Sequence, residues 1–153
     1  MAKAASSDEL RQRFEKHLEQ TKGQVQRLEK IFQTLGESPK GKTCKGMQGL
    51  IEEGSEATQE DYEGSVMDAA LIGAAQRVEH YEIAGYGTVR SMAETLGVDD
   101  QVSLLEETLE EEKETDEKLT ELAEQINTQA NESGNEQQQD EARRDKKKSR
   151  RVA

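Results

Sequence analysis

Two glutamates occupy positions where an amphipathic helix normally carries apolar side chains. Glu79 lies seven residues after Ile72, and Glu112 lies seven residues after Leu105. Because seven residues make almost two helical turns, each glutamate shares a helix face with these apolar residues. An unpaired carboxylate in an apolar interior costs several kcal/mol. The sequence therefore predicts two inward-facing carboxylates that need a partner to offset this cost.

A metal ion is one such partner. Helical bundles bind pairs of iron or manganese ions through Glu and Glu-x-x-His residues of facing helices, and hard oxygen ligands suit these metals. The pairs Glu79–Glu82 and Glu53–Glu56 have the required spacing of three residues. We therefore treat Glu79, Glu82, Glu112 and Glu53 as candidate metal ligands. The alternative is that an acidic sequence turns some glutamates inward by chance and pairs them with Arg or Lys.

Two histidines, an aspartate and a tyrosine lie near these carboxylates. His17 is on the inner face of the first predicted helix, where it either supplies a nitrogen ligand or hydrogen-bonds a carboxylate. Asp116 follows Glu112 by one turn and is a further candidate ligand. His80 points off the apolar face and Tyr86 lies on it, so we expect these two beside the ligands rather than among them. A plain core position is the alternative for Tyr86.

Four helices are predicted to position these residues. Their apolar periodicity places them at about residues 7–35, 47–62, 65–96 and 99–126. Ser7 is the predicted N-cap of the first helix, and Gly36 and Gly97 are predicted to end the first and the third. If the last two helices form an antiparallel hairpin through Gly97, then Glu79 and Glu112 meet at the same height. The predicted fold class is all-α, with three long helices and one short helix.

Composition excludes several classes of protein. Hydrophobic residues make up 31% and aromatic residues 3%, whereas a typical soluble domain is about 45–50% apolar. No apolar run approaches the roughly 20 residues of a membrane span, and the N-terminus lacks the apolar region of a secretory signal. Cys44 is the single cysteine, which excludes an internal disulfide and a multi-cysteine metal site. We expect a cytoplasmic protein without a membrane partner.

The end of the chain differs in character from the rest. Residues 129–153 are rich in Asn, Gln, Ser and charge, which predicts a disordered tail with a basic end after a helical domain of residues 1–128. The net charge of the whole chain is −12, so its body repels nucleic acid. The tail has no aromatic residues for base stacking, and we predict no nucleic-acid site.

Four stretches of sequence carry a family resemblance. They read DELRQRFEKHLEQTKGQVQRLEKIF, TCKGMQGLIEEG, DAALIGAAQRVEHYEIAGYGTV and LLEETLEEEKETDEKLTELA. Together they cover about residues 7–127 and resemble the YciE/YciF family of ferritin-like proteins. The resemblance implies a ferritin-like, rubrerythrin-like helical bundle, a dimer, a link to stress responses and ferroxidase activity. It also implies that Glu79, Glu82 and Glu112 face the metal, with Glu53 in the family's GLIEEG-type helix.

The chain departs from the family at its start. Family members begin with one more helix, so the chain is predicted to be N-terminally truncated relative to them, with a metal site that one chain leaves incomplete. A missing helix predicts an exposed apolar groove, whose floor would comprise Phe14, Leu18, Ile72, Ala75, Leu105 and Leu109. A second copy would cover that groove, so we expect a homodimer.

Two functions are consistent with these features. The first is a ferritin-like di-metal carboxylate protein that holds iron or manganese, as one ion or two, and acts as a ferroxidase or in peroxide stress. The second is a non-enzymatic, stress-related dimeric helical scaffold with an incomplete metal site. Metal content of the purified protein distinguishes them.

Overall fold

The chain folds into four helices. The computed structural model describes residues 1–62 and 64–152, and the side chains of these up to residue 134. The helices are α1 (Asp8–Leu35), α2 (Lys45–Ala57), α3 (Ser65–Leu96) and α4 (Asp99–Val152). The described residues contain no strand. The predicted all-α class, with three long helices and one short helix, is confirmed.

The helix ends follow the predicted capping residues. The Ser7 side chain accepts a hydrogen bond from the backbone N–H of Leu10 at 3.3 Å and so begins α1. Gly36 and Gly97 end α1 and α3 in the left-handed conformation, each with φ of 70°, which a residue with a Cβ adopts only at a cost. By contrast, α2 ends at Ala57 rather than near residue 62. There the Thr58 hydroxyl donates to a carbonyl of the last turn, which favours termination.

The hairpin of α3 and α4 is the main framework, and the other two helices pack on it. These two helices run antiparallel on either side of Gly97 and make the most extensive interhelical contact. Helix α1 runs antiparallel to α4, with Arg27 bound to Glu107 and Glu111. Helix α2 covers part of α3, where Gly46 approaches the ring of Tyr81 closely. Three long helices thus surround a common interior.

Two apolar clusters form the core, one toward each end of the bundle. The first contains Leu10 of α1, several α3 residues around Leu71, and the α4 residues from Leu119 to Ile126. The second contains Ile31 of α1, Ala93 of α3 and Leu105 of α4. On α1, α3 and α4, residues that were predicted to carry chemistry lie between the two clusters. The bundle therefore has a polar layer between two apolar ones.

The exposed groove predicted from the sequence is largely filled by the chain itself. Ile72, Ala75, Leu105 and Leu109 are all buried, although they were expected on an open floor. Ile72 and Ala75 pack in one cluster with Leu10 of α1, and Leu105 packs with Ile31 of α1, so α1, α3 and α4 close most of the groove against one another. Of the residues predicted to form the floor of the groove, Leu18 of α1 is the one that is strongly exposed. The predicted absence of a first helix stays a prediction.

The last helix is longer than expected. It extends to Val152, whereas a disordered tail was predicted from residue 129. Gln, Glu, Arg and Lys make up 14 of residues 129–152, and these four residue types have high helix propensity. The predicted domain boundary at residue 128 stays a prediction, and residue 153 lies outside the described residues. In the part of the chain that the structure describes, no helix is long and apolar enough to cross a membrane.

Candidate metal centre

Three helices bring an imidazole and two carboxylates together in the polar layer. One ligand atom each from His17 of α1, Glu79 of α3 and Glu112 of α4 lie within 4.8 Å of one another. Glu79 is 2% exposed and Glu112 is fully buried. The prediction that these glutamates are buried and meet across the hairpin is confirmed. It holds because Gly97 reverses the chain and sets the two mid-helix positions at one height.

The carboxylate oxygens of this cluster are mostly without hydrogen-bond donors. Glu79 Oε2 and both oxygens of Glu112 are buried and have no partner among the described residues. The remaining oxygen, Glu79 Oε1, lies 3.4 Å from His17 Nε2. A buried acceptor without a donor costs about 1–3 kcal/mol, and more when it is charged. The oxygens therefore have free lone pairs for a cation.

Burial and crowding of the carboxyls change their acidity. Burial raises the pKa of Glu79 far above its ordinary range, and the neighbouring Glu112 carboxyl raises it further. Burial also raises the pKa of Glu82 to about 7, with a contribution from the charge of Glu112. In the absence of metal, the site therefore retains protons at neutral pH that a bound cation would displace.

Glu82 and Tyr86 extend the polar layer along α3. Both are partly buried. Burial raises the pKa of Tyr86 to about 12, and the charges of Glu82 and Glu112 contribute to this shift. Glu82 lies outside the three-residue cluster but is close enough to Glu112 that the charge of Glu112 raises the pKa of Glu82. It is the next carboxylate that could take part if the site holds a second ion.

Asp116 and His80 form a separate polar pair beside the cluster. Asp116 Oδ2 lies 3.0 Å from His80 Nε2, and its Oδ1 accepts a hydrogen bond from Gln76 at 3.0 Å. The His80 side chain is 66% exposed. The structure therefore directs Asp116 toward the α3 surface rather than into the three-residue cluster. His80 thus lies beside Asp116, and its predicted place next to metal ligands stays a prediction.

Glu53 is not brought to the cluster. Its side chain on α2 is 61% exposed, and its carboxylate lies 4.0 Å from Arg77. Helix α2 contacts the outer side of α3, whereas the cluster is on the inner side. The spacing Glu53–Glu56 is shared with metal-binding helices, but periodicity alone does not say which side of α3 the helix would cover.

Several residues around the cluster were missed by the sequence analysis. Arg27 binds both carboxylate oxygens of Glu111, at 2.6 and 2.7 Å, and Gln24 donates to the same carboxylate at 3.2 Å. Thr115 Oγ1 lies 3.4 Å from His17 Nδ1. The position of Gln24, seven residues after His17, was a signal that could have identified it as inward-facing.

A cavity gives access to the cluster from one side. It has a volume of about 210 Å³, lies between α1, α3 and α4, and includes His17 and Glu79 in its lining. Phe14 and Leu119 are among its apolar walls, and Lys16 is one of its cationic residues. A small ion or molecule could therefore reach His17 and the Glu79 carboxyl without unfolding of the bundle.

The fold and the cluster together define a class: an all-helical bundle with a buried imidazole–carboxylate centre. Residues 1–132 match the family described as a domain of unknown function, DUF892. The chain is also 48% identical over 110 residues to Protein YciF of Escherichia coli (strain K12), covering 71% of this chain and 66% of that protein. The chain therefore belongs to the YciF family, which confirms the resemblance seen in the sequence. It spans about two thirds of the length of the E. coli protein.

Solved structures agree with this assignment. The structure is similar to that of the E. coli stress protein YciF, with a TM-score of 0.80 and 48% identity, covering 83% of this chain and 80% of that one. It is also similar to YcfI from Rhodopseudomonas palustris, with a TM-score of 0.74 and 44% identity, covering 78% and 76% of the two chains. The helical-bundle fold is thus shared with both.

Proposed function

We propose that this chain is a ferritin-like metal-carboxylate protein that binds iron or manganese through His17, Glu79 and Glu112. The observation that carries the proposal is the set of buried carboxylate oxygens without donors, next to an imidazole nitrogen. A buried carboxylate pair without compensation is unfavourable, and a divalent cation supplies the missing positive charge. Two carboxylates and one imidazole form a donor set that suits iron and manganese.

The residues around the three ligands would determine how many ions the site can hold and how much water can enter it. Glu112 has two free oxygens, so it can serve two ions, and Glu82 offers one more carboxylate on the same helix as Glu79. The apolar clusters above and below restrict the entry of water. Two of the candidate ligands come from one hairpin and the third from α1, so the metal would also hold α1 against α3 and α4.

The reaction we propose is ferroxidation, in which Fe(II) is the substrate. Two Fe(II) ions each lose one electron and become Fe(III). The oxidant takes up these two electrons with two protons: dioxygen gives hydrogen peroxide, and hydrogen peroxide gives two molecules of water. The chain's own residues bind the ion, neutralise its charge and release protons as it enters. Because the pKa of Glu79 is raised, binding displaces a proton, and metal affinity should rise with pH.

The test is metal binding by matched variants of the purified protein. Anaerobic titration with Fe(II) or Mn(II), followed by elemental analysis, should give bound metal in the wild type and a large loss in Glu79→Gln and Glu112→Gln. Glu53→Gln is the control, because it makes the same change at an exposed site outside the cluster. Equal metal content in all four proteins would contradict the assignment. Fe(II) oxidation rates then test the ferroxidase step separately.

A second copy of the chain is the partner we propose. Helices α1 and α3 expose several large apolar side chains, namely Leu18, Val25, Leu35, Val89, Met92 and Leu96. Large exposed apolar areas are uncommon on monomers and typical of interfaces. This surface also favours the second candidate function, a dimeric scaffold without enzymatic activity. A dimer that binds no metal in the titration above would support the scaffold instead.

A further inference from the structure

Two threonine hydroxyls flank the imidazole of His17, and their hydrogens are already used. Thr115 donates to the backbone carbonyl of Glu111 at 2.9 Å, and its oxygen lies 3.4 Å from His17 Nδ1. A hydroxyl has one hydrogen to donate and two lone pairs to accept with. Because the carbonyl contact is much the shorter, the hydrogen belongs there. The oxygen of Thr115 therefore faces Nδ1 as an acceptor.

The other ring nitrogen has a different environment. Nε2 lies 3.4 Å from Glu79 Oε1 and 3.5 Å from the hydroxyl of Thr21. Thr21 donates its hydrogen to the carbonyl of His17 at 3.0 Å. Nε2 thus faces the carboxylate cluster, where it can share a hydrogen with Glu79 or present its lone pair to a cation.

These contacts distinguish the two forms of the neutral imidazole. With the hydrogen on Nδ1, the ring donates to Thr115 and leaves Nε2 free to act as a ligand. With the hydrogen on Nε2, a bare Nδ1 faces an oxygen that has no hydrogen to offer. When the imidazole is charged, Nδ1–H again donates to Thr115. Thr115 therefore favours a hydrogen on Nδ1, whereas an ionised Glu79 carboxylate would favour one on Nε2.

We infer that Thr115 is a positioning residue: it holds the hydrogen of His17 on Nδ1 and so directs Nε2, as the ligand atom, toward Glu79 and Glu112. This inference rests on the proposed metal function, since only a ligand needs a bare Nε2. Thr115 touches neither carboxylate and would not bind the metal. A hydrogen-bond partner on the far nitrogen of a metal-binding histidine commonly fixes the ring's orientation, and its loss typically costs about 10–100-fold in metal affinity.

Helix α4 holds Thr115 in place through Glu111. The carbonyl of Glu111 accepts the Thr115 hydrogen, and the carboxylate of Glu111 binds Arg27 of α1 with two contacts of 2.6 and 2.7 Å. The same α4 residue thus connects to the hydroxyl and to the helix that carries His17. This pairing ties α1 to α4 one helical turn before Thr115.

Three substitutions test the role of Thr115. Thr115→Val keeps the shape and removes the hydroxyl, whereas Thr115→Ser keeps the hydroxyl. Thr21→Val is the matched control, because it removes the hydroxyl on the Nε2 side. In metal-free protein at a pH where the imidazole is neutral, ¹⁵N NMR of the ring reports which nitrogen carries the hydrogen. His80→Gln assigns the signals, since the chain has two histidines.

We expect Nδ1–H in the wild type, in Thr115→Ser and in Thr21→Val, and a shift toward Nε2–H in Thr115→Val. Affinity for Mn(II) should fall about tenfold or more in Thr115→Val and stay nearly unchanged in the other two. Nε2–H in the wild type, or an unchanged ring signal in Thr115→Val, would overturn the inference. If the ring signals behave as expected but no variant binds metal, the positioning role stands and the proposed function fails.

Discussion

Stability of the metal-free protein should fall as pH rises, because Glu79 must lose its proton in a buried site. Its ordinary pKa is 4.5, and in the folded chain it is raised to about 9 by burial and by the neighbouring Glu112 carboxyl. Below the ordinary value both folded and unfolded chains bind the proton, so the residue has no effect. Above it the unfolded chain releases the proton while the folded chain keeps it. The free energy of unfolding then decreases with pH.

The size of this pH dependence follows from the difference in the number of bound protons between the folded and the unfolded chain. One proton of difference between the two states changes the free energy of unfolding by about 1.4 kcal/mol per pH unit. Between about pH 5 and pH 7, Glu79 therefore contributes at most about 2.5 kcal/mol of destabilisation.

Urea unfolding across this pH range, in the presence of a chelator, measures the prediction. Glu79→Gln has no proton to lose, so its stability relative to the wild type should increase steadily from pH 5 to pH 7. Glu53→Gln, with an exposed side chain, should follow the wild-type curve at every pH. Parallel curves for the wild type and Glu79→Gln would refute the argument, because the pKa of Glu79 would then be the same in the folded and the unfolded chain.

Three further predictions concern other parts of the molecule. Glu112→Leu should raise the melting temperature of the metal-free protein, since it replaces a buried, unpaired carboxyl with an apolar side chain, and calorimetry with chelator would show it. Arg27→Lys should lower the free energy of unfolding by about 1–2 kcal/mol, because lysine cannot bind both oxygens of Glu111 at once; Lys22→Arg, at an exposed pair, is the control in denaturant unfolding. Met92→Glu should weaken self-association in sedimentation experiments while circular dichroism stays unchanged, and an undiminished dimer would place the interface elsewhere.

Apolar periodicity and capping residues were sufficient to predict the helices of the bundle and the meeting of its two central carboxyls. Ser7, Gly36 and Gly97 act within one or two turns, so local sequence identifies them. Glu79 and Glu112 were found because each interrupts an apolar face, and a hairpin has few ways to arrange two such faces.

Features that depend on how helices pack sideways could not be found in this way. Glu53 has the spacing of a ligand, but α2 lies on the outer side of α3. Asp116 follows Glu112 by one turn, but it is rotated toward Gln76 and His80. Periodicity states which face of a helix is inward without saying which neighbour covers it. Leu105 and Leu109 were expected in an open groove for the same reason.

The position of Glu112 argues for a ligand rather than for a structural role. It shares its face with Leu105 and Leu119, which belong to the two apolar clusters, and a leucine between them would join those clusters into one core. A carboxylate there separates them, and apart from the proton that Glu79 retains it has no donor for either oxygen. Folding stability alone does not explain such a residue, because an apolar side chain of similar size would be neutral or stabilising. A cation bound by both Glu79 and Glu112 would compensate the buried negative charge, so the unfavourable burial would favour metal binding. Such a cation would also explain why the imidazole of His17, on a third helix, faces the same point.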